Sequence, residues 1–315
     1  MGHGEQLGMS ELVDRIGAGP TGQGGRYDAI LIAGPTASGK SALAISLAQA
    51  FNGVVVNADS MQVYRDLRVI TARPTLEEEA SAPHAMFGHV DGAINYSVGK
   101  WVVDAKAELV RIAAAGQTPI LTGGTGMYFK ALLEGLSDIP PVPDEIREQI
   151  RAEGEGVDPA ELHARLSLLD PQTAALLRPT DPQRILRALE VFAATGQSLA
   201  SFQGKRTPGL LDPTRCFGAF LEPNRAALHE RINTRFEMMM EQGAVEEVAQ
   251  LAKRDLDPAL PVMRAHGVPA LIAWMRGEIS REAAIERGQT DTRQYVKRQT
   301  TFARHQLPGF VWVAV

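Results

Sequence analysis

The octapeptide Gly34-Pro35-Thr36-Ala37-Ser38-Gly39-Lys40-Ser41 has glycine, lysine and serine at the spacing of a phosphate-binding loop. The chemistry it can do is anion capture. Backbone N–H groups of the turn and the positive end of the following helix converge on a di- or triphosphate. Gly34 and Gly39 allow close backbone approach, Lys40 supplies a point charge, and Ser41 is placed to coordinate Mg²⁺ indirectly, beside the phosphates. The motif says what is held and leaves open which bond is broken. A guanine-reading Asn-Lys-x-Asp motif is missing, which argues against a GTPase. A small-molecule kinase stays open, with Asp59 activating a hydroxyl.

Two further candidates sit where a parallel sheet presents its ligand, just past the end of a strand. Asp59 and Ser60 follow the apolar run 54–56, and Gly123, Gly124 and Thr125 follow the run 119–122. An aspartate there is either a general base or a helix N-cap, and a threonine either a ligand contact or a turn residue. The stretch 281–306 holds six Arg or Lys against three acids, in a chain whose net charge is −5. Arg293, Lys297, Arg298, Arg304 and His305 surround Tyr295 and Phe302, which suits contact with a phosphate backbone and base stacking, or a solvated helix face. Arg184 and Arg187 form a second basic cluster. Two separated clusters favour a long polyanion over a metabolite.

The elements that must position these residues are legible as a series. Residues 29–33 read as a buried strand, and 41–51 as a helix with Leu43, Leu47 and Phe51 at helical spacing. The pattern repeats through 54–56, the helix 98–115 and 119–122, predicting a β-α-β-α order around a parallel sheet. A proline-rich exit at 136–145 leads to short helices that open on Asp-Pro, which suits an N-cap followed by proline in the first turn. Residues 202–213 read as the return, followed by a strand from Cys216, helices from Asn224 and a last strand in "FVWVAV". The expected fold class is α/β: a P-loop NTPase-like parallel-sheet core, residues 28–137 and 205–315, with an all-helical insertion at 138–204. Residues 1–27, rich in glycine and polar residues, read as a disordered extension without the apolar core of a signal peptide.

At 315 residues, 44% hydrophobic and 22% charged, the composition is that of a globular chain of about two domains. The single cysteine, Cys216, excludes a disulfide framework or Cys-rich zinc site and reads as a core thiol. No apolar run approaches the roughly 20 residues needed to span a bilayer. A cytoplasmic monomer is expected.

The stretches "GPTASGKS", "NADSMQVYRDL", "TARPT", "APHAMFGHVD", "LTGGTGMYFKALLEGL", "DPQRILRALEVF" and "TRQYVKRQTTFAR" resemble, in order, the motifs of bacterial tRNA dimethylallyltransferases, also called tRNA isopentenyltransferases. The match runs from about residue 29 to 304. The resemblance implies transfer of a dimethylallyl group from dimethylallyl diphosphate to N6 of the adenosine 3′ of the anticodon, position 37, in tRNAs reading codons that start with U. Diphosphate leaves and Mg²⁺ assists. The related adenylate isopentenyltransferases are the alternative within this chemistry. The loop 34–41 would then hold diphosphate, Asp59 would act as base, Thr125 would touch the target nucleotide, and Arg235 would reach the diphosphate. Asp59, Ser60, Met61, Gln62, Thr125, Arg147, Gln183, Arg184, Arg187, Arg264, Lys297, Arg298, Gln299 and Arg304 match stretches that contact the tRNA anticodon stem-loop, which the helical insertion would grip. Where many members carry Gly-Tyr-Arg-Gln, this chain keeps Gly267 but has Val268, Pro269 and Ala270, and His266 beside them reads as structural or surface-exposed.

Overall fold

Among the described residues, seven short strands form one sheet in which all six pairings are parallel. They are β1 (Gln6–Leu7), β2 (Ala29–Ala33), β3 (Gly53–Asn57), β4 (His84–Ala85), β5 (Thr118–Gly123), β6 (Cys216–Glu222) and β7 (Val311–Ala314), in the order β1-β7-β6-β2-β5-β3-β4. The structure is a computed structural model and describes residues 6–20, 25–204 and 206–315. β2, β3 and β5 are buried along their whole length, as expected of parallel strands covered by helices on both faces. Side chains alternate between the two faces: Leu31, Val54, Val56 and Leu121 enter one apolar cluster, and Ile30, Ile32, Val55 and Ile120 the other.

The parallel arrangement places the C-terminal ends of β2, β5, β3 and β6 side by side. The loop 34–41, Asp59 and Thr125 follow those ends, and Glu222 is the last residue of β6. The helix Arg281–Gln306 runs beside the helix Arg225–Glu241, turning Ala284, Gly288, Val296, Gln299 and Ala303 inward.

The chain divides into two compact units, Met1–Leu133 with Leu210–Val315, and Glu134–Gly209. The second unit has its own small core, with Ile150, Leu162, Leu166, Ile185 and Leu189 packed together. Its helices Pro159–Leu169 and Pro182–Thr195 begin on Asp158 and Asp181, whose carboxylates accept backbone N–H groups of the first turn. An antiparallel bridge between Ser137 and Arg206 closes its two ends.

The N-terminal segment differs from the expected disorder. Residues 1–5 and 21–24 lie outside the described residues, but Gln6–Leu7 pairs with β7 and Met9–Ala18 is a helix. Leu7, Leu12 and Ile16 are buried. Two apolar residues one turn apart make a weak local pattern, and the partner strand lies at the other end of the chain. Nothing short-range marks the segment as ordered.

Candidate active site

The phosphate-binding loop leaves β2 at Ala33 and enters the helix Lys40–Ala50 through Gly39, whose φ of 87° is the left-handed conformation glycine tolerates. Ala37 also has a positive φ, 61°, so the loop holds its shape against a local preference. Lys40 is buried and its Nζ donates to the Pro35 carbonyl at 3.2 Å. Burial pulls its pKa down to about 8; the nearby Arg235 pushes the same way and Asp59 opposes both. Arg235, on the helix Arg225–Glu241, is likewise held below its ordinary value by burial. Neither cation has a carboxylate ion-pair partner among the described residues. Ser38 Oγ is buried with no hydrogen-bond partner. A buried lysine without a carboxylate partner and an orphaned hydroxyl in the same loop, with the more exposed Arg235 near Lys40, are the chemistry of an anion site.

Asp59 stands opposite. Asn57 at the end of β3 anchors its backbone: Asn57 Oδ1 accepts the Asp59 N–H at 2.9 Å and Asn57 Nδ2 donates to the Asp59 carbonyl at 2.9 Å. The buried Trp101 indole donates to the Asn57 carbonyl at 3.2 Å, and its ring stacks on Tyr128 at 4.0 Å. Asp59 Oδ1 accepts the Met61 N–H at 2.9 Å, so this oxygen caps a turn and Oδ2 is left for other work.

Thr125 is tied to the same segment. Its Oγ1 accepts the Ser60 N–H at 2.9 Å and donates to Ser60 Oγ at 3.2 Å. The glycines before and after it are needed for close approach: a Cβ on Gly123 would lie 2.1 Å from the Ala58 carbonyl group, one on Gly124 would lie 1.9 Å from Gln299 Nε2, and one on Gly126 would lie 2.3 Å from the Phe302 ring. Gln299 Nε2 donates to the Gly124 carbonyl at 3.0 Å, while its buried Oε1 has no partner. The Tyr295 hydroxyl is pushed above its ordinary range by desolvation, with Thr125 and Gln299 in hydrogen-bonding reach.

One cavity collects several of these groups. Thr36, Asp59, Arg235, Tyr295 and Gln299 line it together with Ile70, Ile232, Phe236 and Met239. It is therefore cationic at Arg235, acceptor-rich at Asp59 and Gln299, and apolar on the remaining wall. His266 also lines it, in contrast to the structural or surface role expected from sequence. The His266 ring packs 4.7 Å from that of Tyr295, and burial, then Arg298, holds its pKa below the usual value.

The IPP transferase family model matches residues 62–306, and the isopentenyl transferase model matches 27–86. A tRNA dimethylallyltransferase of Methylocella silvestris is 61% identical over 287 residues, covering 91% of this chain and 95% of the relative. The chain belongs to the tRNA dimethylallyltransferase family. The corresponding protein of Rhodopseudomonas palustris is 56% identical over 300 residues, covering 95% and 94% of the two chains. Among solved structures, the tRNA isopentenylpyrophosphate transferase of Bacillus halodurans superposes with a TM-score of 0.65 at 30% identity, covering 92% of this chain and 90% of that one. A eukaryotic dimethylallyltransferase captured acting on tRNA gives 0.75 at 30% identity, covering 90% and 73%.

The structure separates the residues that the dimethylallyltransferase motifs assign to tRNA. Asp59, Met61 and Gln299 line the cavity, with Ser60 and Thr125 hydrogen-bonded beside them. Gln62 is engaged internally, its Nε2 donating to the carbonyls of Thr71 (3.0 Å) and Ala72 (2.9 Å). Lys297 and Arg298 are exposed, with the Arg298 guanidinium 5.7 Å from the Tyr295 ring centre. Arg304 instead pairs with Glu222 at 2.7 Å and lies over Trp312. Arg147, Gln183, Arg184 and Arg187 belong to the second unit. There Arg147 pairs with Asp144, Arg184 with Asp181 and Arg187 with Glu190. Arg264 is exposed and donates to the Pro258 carbonyl at 3.4 Å. The departure beside it has a local reason: Gly267, Val268 and Pro269 open the helix Val268–Met275, and Val268 and Ala270 are buried. Asn57, Trp101, Tyr128 and His266 are not singled out as site residues by the sequence, whereas Tyr295 is read there as a base-stacking candidate. Asn57 alone carried a signal, its place two residues before Asp59.

Proposed function

We propose that this chain transfers a dimethylallyl group from dimethylallyl diphosphate to N6 of adenosine 37 in tRNAs that read codons starting with U. The carrying observation is the cavity lined together by Asp59, Arg235 and the loop residue Thr36, with the buried Lys40 in the same loop. In the reaction the C1–O bond of the donor breaks with its electron pair leaving on diphosphate, and the N6–C1 bond forms. The purine amine is a weak nucleophile because its lone pair is delocalised, so catalysis falls on stabilising the leaving group and positioning the amine.

Each task has its residues. Lys40, Arg235 and the loop N–H groups take the charge that develops on the diphosphate. The amine has two N–H bonds, and Asp59 and the unpartnered Gln299 Oε1 are two acceptors able to receive them. Asp59 then accepts the proton. Tyr295 and Arg298 offer a ring and a guanidinium plane for stacking an unpaired base, which must leave the anticodon loop to reach the cavity. The basic residues of the second unit bind the stem-loop backbone.

Mg²⁺ fits this donor set in one way. Among the described residues no group of three or more His, Cys, Asp or Glu could cage a metal ion. Mg²⁺ would be held by diphosphate oxygens with the Ser41 hydroxyl beside them, the mode that ion commonly adopts. Bound there, it would neutralise part of the leaving group's charge. No helix among the described residues is long and apolar enough to cross a membrane, and we place the protein in the cytoplasm as a monomer.

The test is incubation of purified protein with labelled dimethylallyl diphosphate and an anticodon stem-loop RNA, with AMP and ATP as competing acceptors. Label is expected in the RNA on adenosine. Label only in free nucleotide, or consumption of nucleoside triphosphate with no use of the prenyl donor, overturns the reading.

A further inference from the structure

Phe236 follows Arg235 on the helix Arg225–Glu241 and lines the apolar wall of the same cavity. Its ring is buried in a seat made by two glycines. A Cβ on Gly288 would lie 2.1 Å from the ring's Cζ, and a Cβ on Gly267 would lie 2.9 Å from its Cε2. Gly288 is in the interior of the helix Arg281–Gln306, where glycine is a poor choice for helix stability. Gly267 has a φ of 92°, a conformation L side chains rarely adopt. The chain thus concedes local preference at two positions where any larger side chain would drive the ring out of place.

The neighbouring wall is equally fixed. Ile70 Cδ1 reaches to 3.1 Å of the Cβ position at Gly267. The backbone behind it is pinned by Glu247, whose carboxylate accepts the N–H groups of Arg68 (3.0 Å), Val69 (2.8 Å) and Ile70 (3.2 Å). A carboxylate holding three successive amides makes a stiff support. Phe236 on its glycine seat and Ile70 braced by Glu247 form one fixed stretch of the cavity's apolar wall.

We propose that Phe236 is the length gauge of the donor pocket, ending it so that a five-carbon allyl chain fits and a ten-carbon chain does not. This rests on the prenyl-transfer reading above and names which donors that site refuses. With Phe236 shortened, a geranyl donor reacts by the same balanced step: its C1–O bond breaks, diphosphate leaves with the electron pair, the N6–C1 bond forms, and the proton passes to Asp59.

The experiment compares the full-length wild type, Phe236→Leu and Phe236→Ala, each with stem-loop RNA and either dimethylallyl or geranyl diphosphate, reading kcat/KM from the mass of the product RNA. A single methylene in an apolar pocket is worth about 10- to 200-fold in discrimination. The wild type is therefore expected to prefer the shorter donor by at least about 100-fold, and Phe236→Ala to shift the ratio towards the longer one by more than about tenfold. Phe236→Leu should fall between them, and it carries the test if the alanine variant does not fold. An unchanged ratio in a variant whose melting temperature still rises with pyrophosphate overturns the gauge, as does a wild type that uses both donors equally. A wild type that transfers neither chain to RNA removes the parent activity, and the gauge with it.

Discussion

Lys40 is a charge kept in an unfavourable place, and removing it should stabilise the empty protein. Burial lowers its pKa from 10.5 to about 8. At 1.36 kcal/mol for each tenfold change, that difference corresponds to about 3 kcal/mol of destabilisation when the lysine is charged in both states. The pH dependence follows. Below about pH 8 the folded and unfolded chains both carry the proton and the full cost is present. Between the two values the unfolded chain holds the proton and the folded chain has lost it, so stability rises with pH, and above 10.5 the contribution vanishes. Lys40→Met keeps the apolar stem and removes the charge. It also gives up the hydrogen bond to Pro35, worth about 1 kcal/mol. The net expectation is a gain of about 2 kcal/mol near neutral pH, shrinking towards zero or below at about pH 10. Urea unfolding at the two pH values measures it. The same variant should lose the stabilisation by pyrophosphate expected of the wild type, about 2.7 kcal/mol when the ligand is at 100 times its Kd. A variant less stable than the wild type at neutral pH without ligand would refute the reasoning, because Lys40 would then be contributing to the fold and not held at the fold's expense.

Other outcomes follow from the same contacts. Asp59→Asn keeps an acceptor for the Met61 N–H but cannot take a proton; the transfer rate should fall by about 10²- to 10⁴-fold, while the pyrophosphate-induced rise in melting temperature is retained. Gly123→Ala should destabilise more than Gly124→Ala, because the first meets backbone at Ala58 and the second the movable end of Gln299. Unfolding free energies should show a loss of about 1–3 kcal/mol or more for Gly123→Ala. Burial raises the Cys216 thiol to about 12, so a thiolate-selective reagent at mildly alkaline pH should leave it unmodified in the folded protein and label it after unfolding.

Much of the candidate site was legible because its parts are short and contiguous. A phosphate loop is eight consecutive residues between a strand and a helix, and Asp59 and Thr125 each sit a few residues past an apolar run. The strands β2, β3, β5, β6 and β7 announced themselves by such runs. The two-residue strands β1 and β4 did not, because an edge pairing that short carries no periodicity and depends on a partner elsewhere in the chain. The basic stretch 281–306 was visible as charge, but charge does not say which way a helix faces. In the fold Gln299 turns inward to Gly124, Lys297 and Arg298 turn outward, and Arg304 is taken up by Glu222.

By its sequence alone, the chain determined that a phosphate-binding-loop motif stands at Gly34–Ser41, that an acid follows β3, and that its motifs occur in the order found in tRNA dimethylallyltransferases. These are properties of neighbouring residues, set by local geometry and residue chemistry. The tertiary structure decided that Thr36 of the loop and Arg235, nearly two hundred positions apart, line one cavity with Asp59. It also seated Phe236 against Gly267 and Gly288, and braced Ile70 with Glu247. Such contacts depend on which helix faces pack together, and packing is settled by the summed fit of the whole core and not by any one segment's pattern.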